Sequence, residues 1–270
     1  MRYPAYLLTL LTLLTMSPIV QSALPLNSPT SCRSGNPSSY SSISPNYLVP
    51  LVELYTSEGC SSCPPADKWL SQLGQNWRGK IVPLSIHVDY WNYLGWADPY
   101  SNPAFTKRQR KLAQRNQSPS IYTPEVFVAG YELVVGRRNN DPLNWINAAR
   151  KTAVTNTIQL TWGQANQGQH SVEIKINSSD DKTKQLNVVL YQNGLSQSVT
   201  RGENQGELLK HDFVVRYWHP PLALQKREET FTINLPIPNS ANPYGVAAFV
   251  EDIKTGEILQ SWASDANSCS

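Results

Sequence analysis

The sequence predicts two units in series, an α/β unit followed by an all-β, antiparallel, sandwich-like unit. Two observations predict this. Before residue 151, apolar runs of strand length alternate with stretches of helical period. Beyond it, apolar and polar residues alternate in period two between turn signals. The length of 270 residues suits two medium domains, and a 40% hydrophobic, 16% charged composition can bury a conventional core.

The N-terminus comes first. Arg2 supplies a positive charge, residues 7–14 with Met16, Ile19 and Val20 are apolar, and small Ser22 and Ala23 follow. This is the pattern of a secretory signal peptide over residues 1–23. The apolar run falls short of the roughly 20 residues of a membrane span. The expectation is export to the periplasm or exterior, with no stable membrane insertion after cleavage. Residues 24–46, rich in Ser, Pro and Asn without apolar period, read as a flexible lead-in.

The α/β unit reads as residues 47–152. Residues 48–55 form a buried strand, and Gly59 turns the chain. Ala66, Trp69, Leu70 and Leu73 then recur at helical spacing up to Gly74. Residues 81–88 make a second buried strand. An aromatic stretch follows, Tyr90, Trp91, Tyr93 and Trp96, and Pro103 opens a helix to about Arg115. That helix carries Lys107, Arg108, Arg110, Lys111 and Arg115, a solvated basic face. Residues 121–128 read as a strand led by Pro124, Gly130 turns into a hairpin partner at 132–136, and Pro142 starts a last helix at N1. Parallel crossovers come first and a hairpin closes the sheet, which is the thioredoxin-like arrangement. The second unit, 156–265, carries strands at 157–162, 171–176, 186–191, 208–215, 230–235, 245–251 and 258–262, with turns that include Asn193-Gly194.

The four cysteines are Cys32, Cys60, Cys63 and Cys269. An even count in an exported chain points to disulfides. Cys60 and Cys63 are sequence neighbours, which leaves Cys32–Cys269 as a staple between the chain ends. A Cys-x-x-Cys pair accepts or donates two electrons reversibly, and a helix N-terminus favours its thiolate. Pro64 and Pro65 leave two helix starts open, because neither has an N–H to give. In a start at Pro64, Cys63 lies at the cap and Cys60 one turn back.

Thr123-Pro124 stands at the strand start that faces the cysteine pair in thioredoxin-like chains, where a cis proline presents backbone to a substrate. His87 and Asp89 end the second strand, at the edge where ligands collect in open α/β sheets. His87 is a candidate base, a third metal ligand beside the two sulfurs, or a residue simply hydrogen-bonded in place. Tyr90 and Trp91 line a substrate groove or pack the seam between the units. Arg201-Gly202-Glu203-Asn204 and His211 form a dense polar group that orients a loop against the first unit, without assigned chemistry.

The run from Val52 through Glu58-Gly59-Cys60-Ser61-Ser62-Cys63-Pro64-Pro65-Ala66-Asp67 resembles a secreted bacterial family known as domain of unknown function 1223. His87-Val88-Asp89-Tyr90-Trp91, Phe105-Thr106-Lys107-Arg108-Gln109, Tyr122-Thr123-Pro124, Arg201-Gly202-Glu203-Asn204, His211 and Val214-Val215-Arg216 are similar to it as well. The resemblance implies a thioredoxin-like N-terminal domain and supplies no reaction.

The function expected is thiol–disulfide exchange through Cys60 and Cys63, with Pro124 positioning substrate and His87 aiding proton transfer. Thr123, Asp89, Tyr90 and Trp91 line the groove. The partners expected are a protein disulfide or dithiol and a redox partner. A net charge of +3 without basic runs argues against nucleic acid. No second Cys pair or near-spaced His builds a zinc site, so no cofactor or resident metal is expected. Two alternatives stand beside this: a non-catalytic thioredoxin-fold binding module with a structural disulfide, and a copper-handling protein using Cys60, Cys63 and His87.

Overall fold

Residues 40–133 and 141–266 are described by a computed structural model. The first half contains β1 (Tyr40–Ile43), β2 (Leu51–Thr56), α1 (Pro64–Asn76), β3 (Val82–His87), α2 (Pro103–Arg115), β4 (Glu125–Val128), β5 (Tyr131–Glu132) and α3 (Pro142–Ala149). The second half contains β6 (Asn156–Asn166), β7 (Gln169–Ser178), β8 (Lys184–Gln192), β9 (Leu195–Ser198) and β10 (Leu208–His211). It continues with β11 (Val214–Leu224), β12 (Glu228–Pro236), β13 (Tyr244–Asp252) and β14 (Ile258–Asp265).

Local chemistry explains the helix starts. Asn102 caps α2 by accepting the Ala104 N–H, and Asp141 caps α3 by accepting that of Leu143. Pro103 and Pro142 follow at the first helical position, where a missing N–H costs nothing. Every residue of β2 and of β3 is buried, as a strand covered on both faces requires.

The sheets correct the expected α/β thioredoxin-like N-terminal domain, while sandwich-like sheets are present as expected. Among the described residues β structure predominates, 45% strand against 17% helix. One eight-stranded sheet runs β14-β13-β8-β11-β3-β2-β4-β5, four strands from each half. The joint is β11 beside β3, parallel, with Val214 opposite Ser85 and the Ser85 N–H donating to the Phe213 carbonyl at 2.8 Å. An open β3 edge would leave a row of unpaired N–H and C=O groups. β11 closes it, and the sheet passes from one half to the other without a break.

A second sheet, β1-β6-β7-β12, faces the large one across a core that includes Leu160, Trp162, Ile174, Val188 and Phe249. The Trp162 and Trp262 indoles cross between the sheets to Ser264 and Ser42. Strand β1 lies inside the stretch expected to be a lead-in and pairs antiparallel with β6. A smaller cluster, with Val52, Leu54, Leu70, Leu73 and Ile146, sits under α1 and α3. Among the described residues no helix is long and apolar enough to cross a membrane. The signal-peptide segment, the Cys32–Cys269 staple and most of the 132–136 strand lie outside the described residues.

Gly74 marks where α1 crosses the joint: a Cβ there would stand 2.3 Å from Cε2 of Phe213. Ala favours a helix interior over Gly by about 1 kcal/mol, yet overpacking costs about 1–3 kcal/mol. Gly74→Ala is therefore expected to destabilise the protein in urea unfolding, and Phe213→Leu in the same chain to recover part of the loss. A Gly74→Ala variant more stable than its parent would contradict this packing.

Candidate functional site

The Cys60–Cys63 loop begins where β2 ends. Gly59 donates to the Ser57 hydroxyl and Cys60 to the Ser57 carbonyl, which folds the chain back tightly. Cys60 and Cys63 are joined as a disulfide with Cα atoms 5.5 Å apart. The helix starts at Pro64, so Cys63 is its N-cap and Cys60 lies a turn behind. Pro64 and Pro65 bring no N–H, and those of Ala66 and Asp67 both go to the Cys63 carbonyl, at 2.9 and 3.1 Å. No free helix N–H in this turn is left for a sulfur. Both cysteines are buried, 1% and 0% exposed, while Ser61 and Ser62 between them face solvent.

The Thr123–Pro124 peptide bond is cis, and the Thr123 carbonyl oxygen lies 3.8 Å from Cys60 Sγ. The Trp91 indole donates to the Thr123 hydroxyl at 2.7 Å, and its Cβ rests where a side chain on Gly59 would have to go. Trp91 thus binds the turn to the cysteine loop. Asp89 is engaged elsewhere, accepting from the Thr106 hydroxyl of α2 while its own N–H donates to that oxygen. Tyr90 is half-buried, and burial pushes its hydroxyl up to about 12.

Beneath the loop lies a cluster of acids and imidazoles. Glu58 is fully buried; its carboxylate accepts from the Trp96 indole at 2.8 Å and from His211 Nε2 at 3.1 Å. The Glu58 N–H donates to Asp98 Oδ2, and the same oxygen takes His87 Nδ1 at 2.7 Å. Asp67 of α1 approaches His211 Nδ1 at 3.8 Å. The rings of His87 and His211 meet edge to face at 5.0 Å, with Tyr100 against both. Burial alone would raise the Asp98 carboxyl and lower the His87 imidazole, but each charge outweighs this for the other: Asp98 ends low and His87 high. Asp67 lacks so close a partner, and burial holds its carboxyl above the usual range.

The second half clamps the loop from above. Asn204 donates to the carbonyls of Glu58 and Cys60, at 2.8 and 3.0 Å, and Glu203 accepts the Ser61 N–H at 3.0 Å. Gly202, at φ +77, brings the backbone against Trp96, where a Cβ would stand 3.2 Å from the Trp96 Cβ. The Arg201–Asn204 segment and His211, which the sequence left without chemistry, therefore belong to the cysteine loop.

The structure brings Cys60, Cys63, Thr123, Pro124 and Trp91 together and places His87 in the layer below. It ties Asp89 to Thr106 of α2 instead. Sequence reasoning missed Glu58, Asp67 and Asp98 as site residues. Asp67 was findable, since it lies four residues past Cys63 and shares its helix face. Among the described residues no group of three or more His, Cys, Asp or Glu side chains is arranged to hold a metal, and His87 turns its Nδ1 to Asp98.

The buried His87–Asp98 pair makes stability depend on pH in a stated direction. Asp98, held low, contributes above its unfolded value of about 4 and loses this as pH falls further; His87, held high, contributes fully below about 6.5 and loses this as pH rises through its folded value. Asp98→Asn leaves His87 buried without its charge partner, a loss of about 3 kcal/mol at mid-window. Urea unfolding across pH should show the gap between parent and variant widest between about pH 4 and 6.5. A gap that does not vary with pH would contradict the pairing.

The model of the family described as protein of unknown function (DUF1223) matches residues 51–251. A protein of Agrobacterium tumefaciens solved by X-ray crystallography is similar at 25% identity, over 82% of this chain and 95% of its own, with a TM-score of 0.61. Two Bacteroides uniformis β-glucuronidase structures overlap at 16% identity over 39% of this chain and 12% of theirs; a TM-score of 0.22 carries no argument. No curated protein matches the sequence. With the family match running from β2 to the end of β13 and enclosing the cysteine loop, its clamp and the buried acids, the chain belongs to the family of proteins of unknown function DUF1223.

Proposed function

We propose that the protein is an exported thiol–disulfide exchange protein acting on a protein disulfide or dithiol, with Cys60 and Cys63 as the reacting pair. The observation that carries this reading is the Cys60–Cys63 disulfide set against the Thr123–Pro124 turn, 3.8 Å from Cys60 Sγ to the Thr123 carbonyl. Export rests on the N-terminal sequence pattern.

In the reduced protein, the Cys60 thiolate attacks a substrate disulfide. One substrate sulfur leaves as thiolate and the other is held in a mixed disulfide. Cys63, as thiolate, then attacks Cys60 Sγ, which expels the second substrate thiolate and closes the Cys60–Cys63 bond. Two electrons pass to the substrate; the reverse sequence oxidises a dithiol. The Thr123–Pro124 turn positions the substrate backbone, and Trp91 and Tyr90 border it. Asp67, one turn beyond Cys63 on the same helix face, takes the Cys63 proton. His87 and His211 act through Asp67 by stabilising its carboxylate.

The burial of both cysteines favours a second reading, a non-catalytic binding module whose disulfide is structural. Glutathione equilibration with peptide mass spectrometry separates the two. Exchange predicts a potential between about −120 and −270 mV, a structural bond one below about −300 mV. Under exchange, Cys63→Ser accumulates a mixed disulfide with a disulfide-bearing peptide, and Cys60→Ser accumulates none. A potential in the structural range, with no adduct on either variant, would replace the exchange reading by the binding module.

A further inference from the structure

Directly after the cis proline, Glu125 buries its carboxyl against Gln109 of α2; both residues are 0% exposed. Gln109 Nε2 donates to Glu125 Oε2 at 2.6 Å and to the Tyr122 carbonyl at 2.8 Å, which uses both of its hydrogens. Two oxygens are left over, Gln109 Oε1 and Glu125 Oε1, and neither has a hydrogen-bond partner. Turning the amide over would set Gln109 Oε1 against two acceptors, so the orientation is fixed by its surroundings. A buried acceptor without a donor costs about 1–3 kcal/mol, and here two sit on one side-chain pair. A carboxylate has no hydrogen to offer; a carboxylic acid has one.

We propose that Glu125 is kept as the neutral carboxylic acid, its O–H donating to Gln109 Oε1 while Gln109 Nε2 donates back, and that this acid–amide pair positions the Tyr122–Pro124 turn opposite the cysteines. One proton satisfies both oxygens. The Tyr122 carbonyl is held by the same Gln109 nitrogen, so the pair fixes the backbone one residue before the Thr123 carbonyl.

The surroundings favour the neutral form. From β2, Tyr55 pairs across the strands with Glu125; Tyr90 faces it from the segment after β3; Glu132 of β5 is a second acid nearby. On α2, Arg108 is bound to Glu53 and Glu251, and Arg110 is exposed. Among the described residues no Lys, Arg or His forms an ion pair with Glu125. Burial pushes its carboxyl up to about 8 and Glu132 adds to this, while the Gln109 N–H and the Tyr122 backbone pull the other way. Tyr90 borders the same pair and its hydroxyl interacts with Gln109, so the Tyr90 O–H or a trapped water is the competing donor to these atoms.

The positioning role rests on the exchange reading; the protonation state does not. Difference infrared spectroscopy of the whole protein, wild type against Glu125→Gln, reads the protonation directly. At about pH 6.5 wild type should show the carbonyl stretch of a neutral carboxylic acid, lost as pH rises through about 8 and absent from Glu125→Gln. Glutamine supplies the same donor without ionising, so the variant should also escape the stability that wild type loses between about pH 4.5 and 8, where the unfolded chain binds fewer protons than the native one. A spectrum showing only carboxylate at pH 6.5 overturns the proposal in favour of the Tyr90 hydroxyl or a trapped water as donor, and the wild-type titration decides this even if the variant fails to fold. For the positioning role, disulfide reduction by dithiothreitol should run at similar rates in both proteins at about pH 6 and several-fold slower in wild type by about pH 9, when Glu125 has ionised. Equal rates throughout would remove the positioning role and leave the acid–amide pair. Failure of the exchange reading would show in the Cys60–Cys63 potential, with the infrared band unchanged.

Discussion

A single parallel joint between β3 and β11 carries the arrangement of everything near the cysteines. It consists of one register pair and the Ser85–Phe213 hydrogen bond, and it is set up by a turn rather than by a long ladder. Phe213 stands at φ +58, its N–H donating to the Asn193 side chain, while Asp212 takes the Gly194 N–H. Those bonds direct the chain out of β10 and into place beside β3. The ring of Phe213 then lies where α1 has no side chain, at Gly74. Because the joint fixes β10 and the preceding loop over α1, His211 reaches Glu58, and Glu203 and Asn204 reach the cysteine loop.

A second tie spans the same seam. The Arg108 guanidinium binds Glu53 of β2 and Glu251 of β13, and it lies 4.8 Å from the Trp218 ring and 5.2 Å from that of Phe249. Arg115 adds a bond to Glu251. Two fully buried acids from opposite halves are thus neutralised by one helix, α2. The basic residues of α2 that read as one solvated face divide into two groups. Arg108 and Arg115 turn inward, and Lys107, Arg110 and Lys111 remain exposed.

Local signals were legible wherever one residue decided local geometry. Pro103 and Pro142 announced helix starts, the apolar runs announced β2 and β3, and the Cys60–Cys63 pair and Thr123-Pro124 announced the two walls of the site. Pairing between distant segments was not legible. Strand β11 loses its alternation to irregularities around Arg216 and around Pro220-Pro221. Strand β1 is Tyr-Ser-Ser-Ile, whose polar centre reads as coil until Ser41 and Ser42 are seen bonding to Gln159 and Trp262. The thioredoxin-like assignment failed for the same reason, since element order within a segment carries no information about what pairs with its open edge. Glu58 and Asp98 were hidden because an acid next to a turn looks solvated in sequence, and only the fold shows it under a roof.

The acids around the disulfide are held in different states, and the difference follows from which partner each one has. Asp98 meets His87 at 2.7 Å and stays ionised. Asp67 has its imidazole at a longer 3.8 Å and is shifted towards the neutral form, as is Glu125, which has an amide instead of a cation. Beneath the loop, Asp98 is thus shifted towards its ionised form and Asp67 towards its neutral form. In the exchange reading this matters at the sulfurs. Pro64 and Pro65 remove the helix N–H groups that would stabilise a thiolate, and exposed Glu203 places a carboxylate on the rim. Once the pair is reduced, the Asp67 carboxylate takes the proton that the sulfur gives up; burial raises its affinity for that proton, and His211, bonded to Glu58, lies beside it. The second half of the chain thus supplies, through Asn204, the shape of the cysteine loop and, through His211, the imidazole that contacts the acids beneath it.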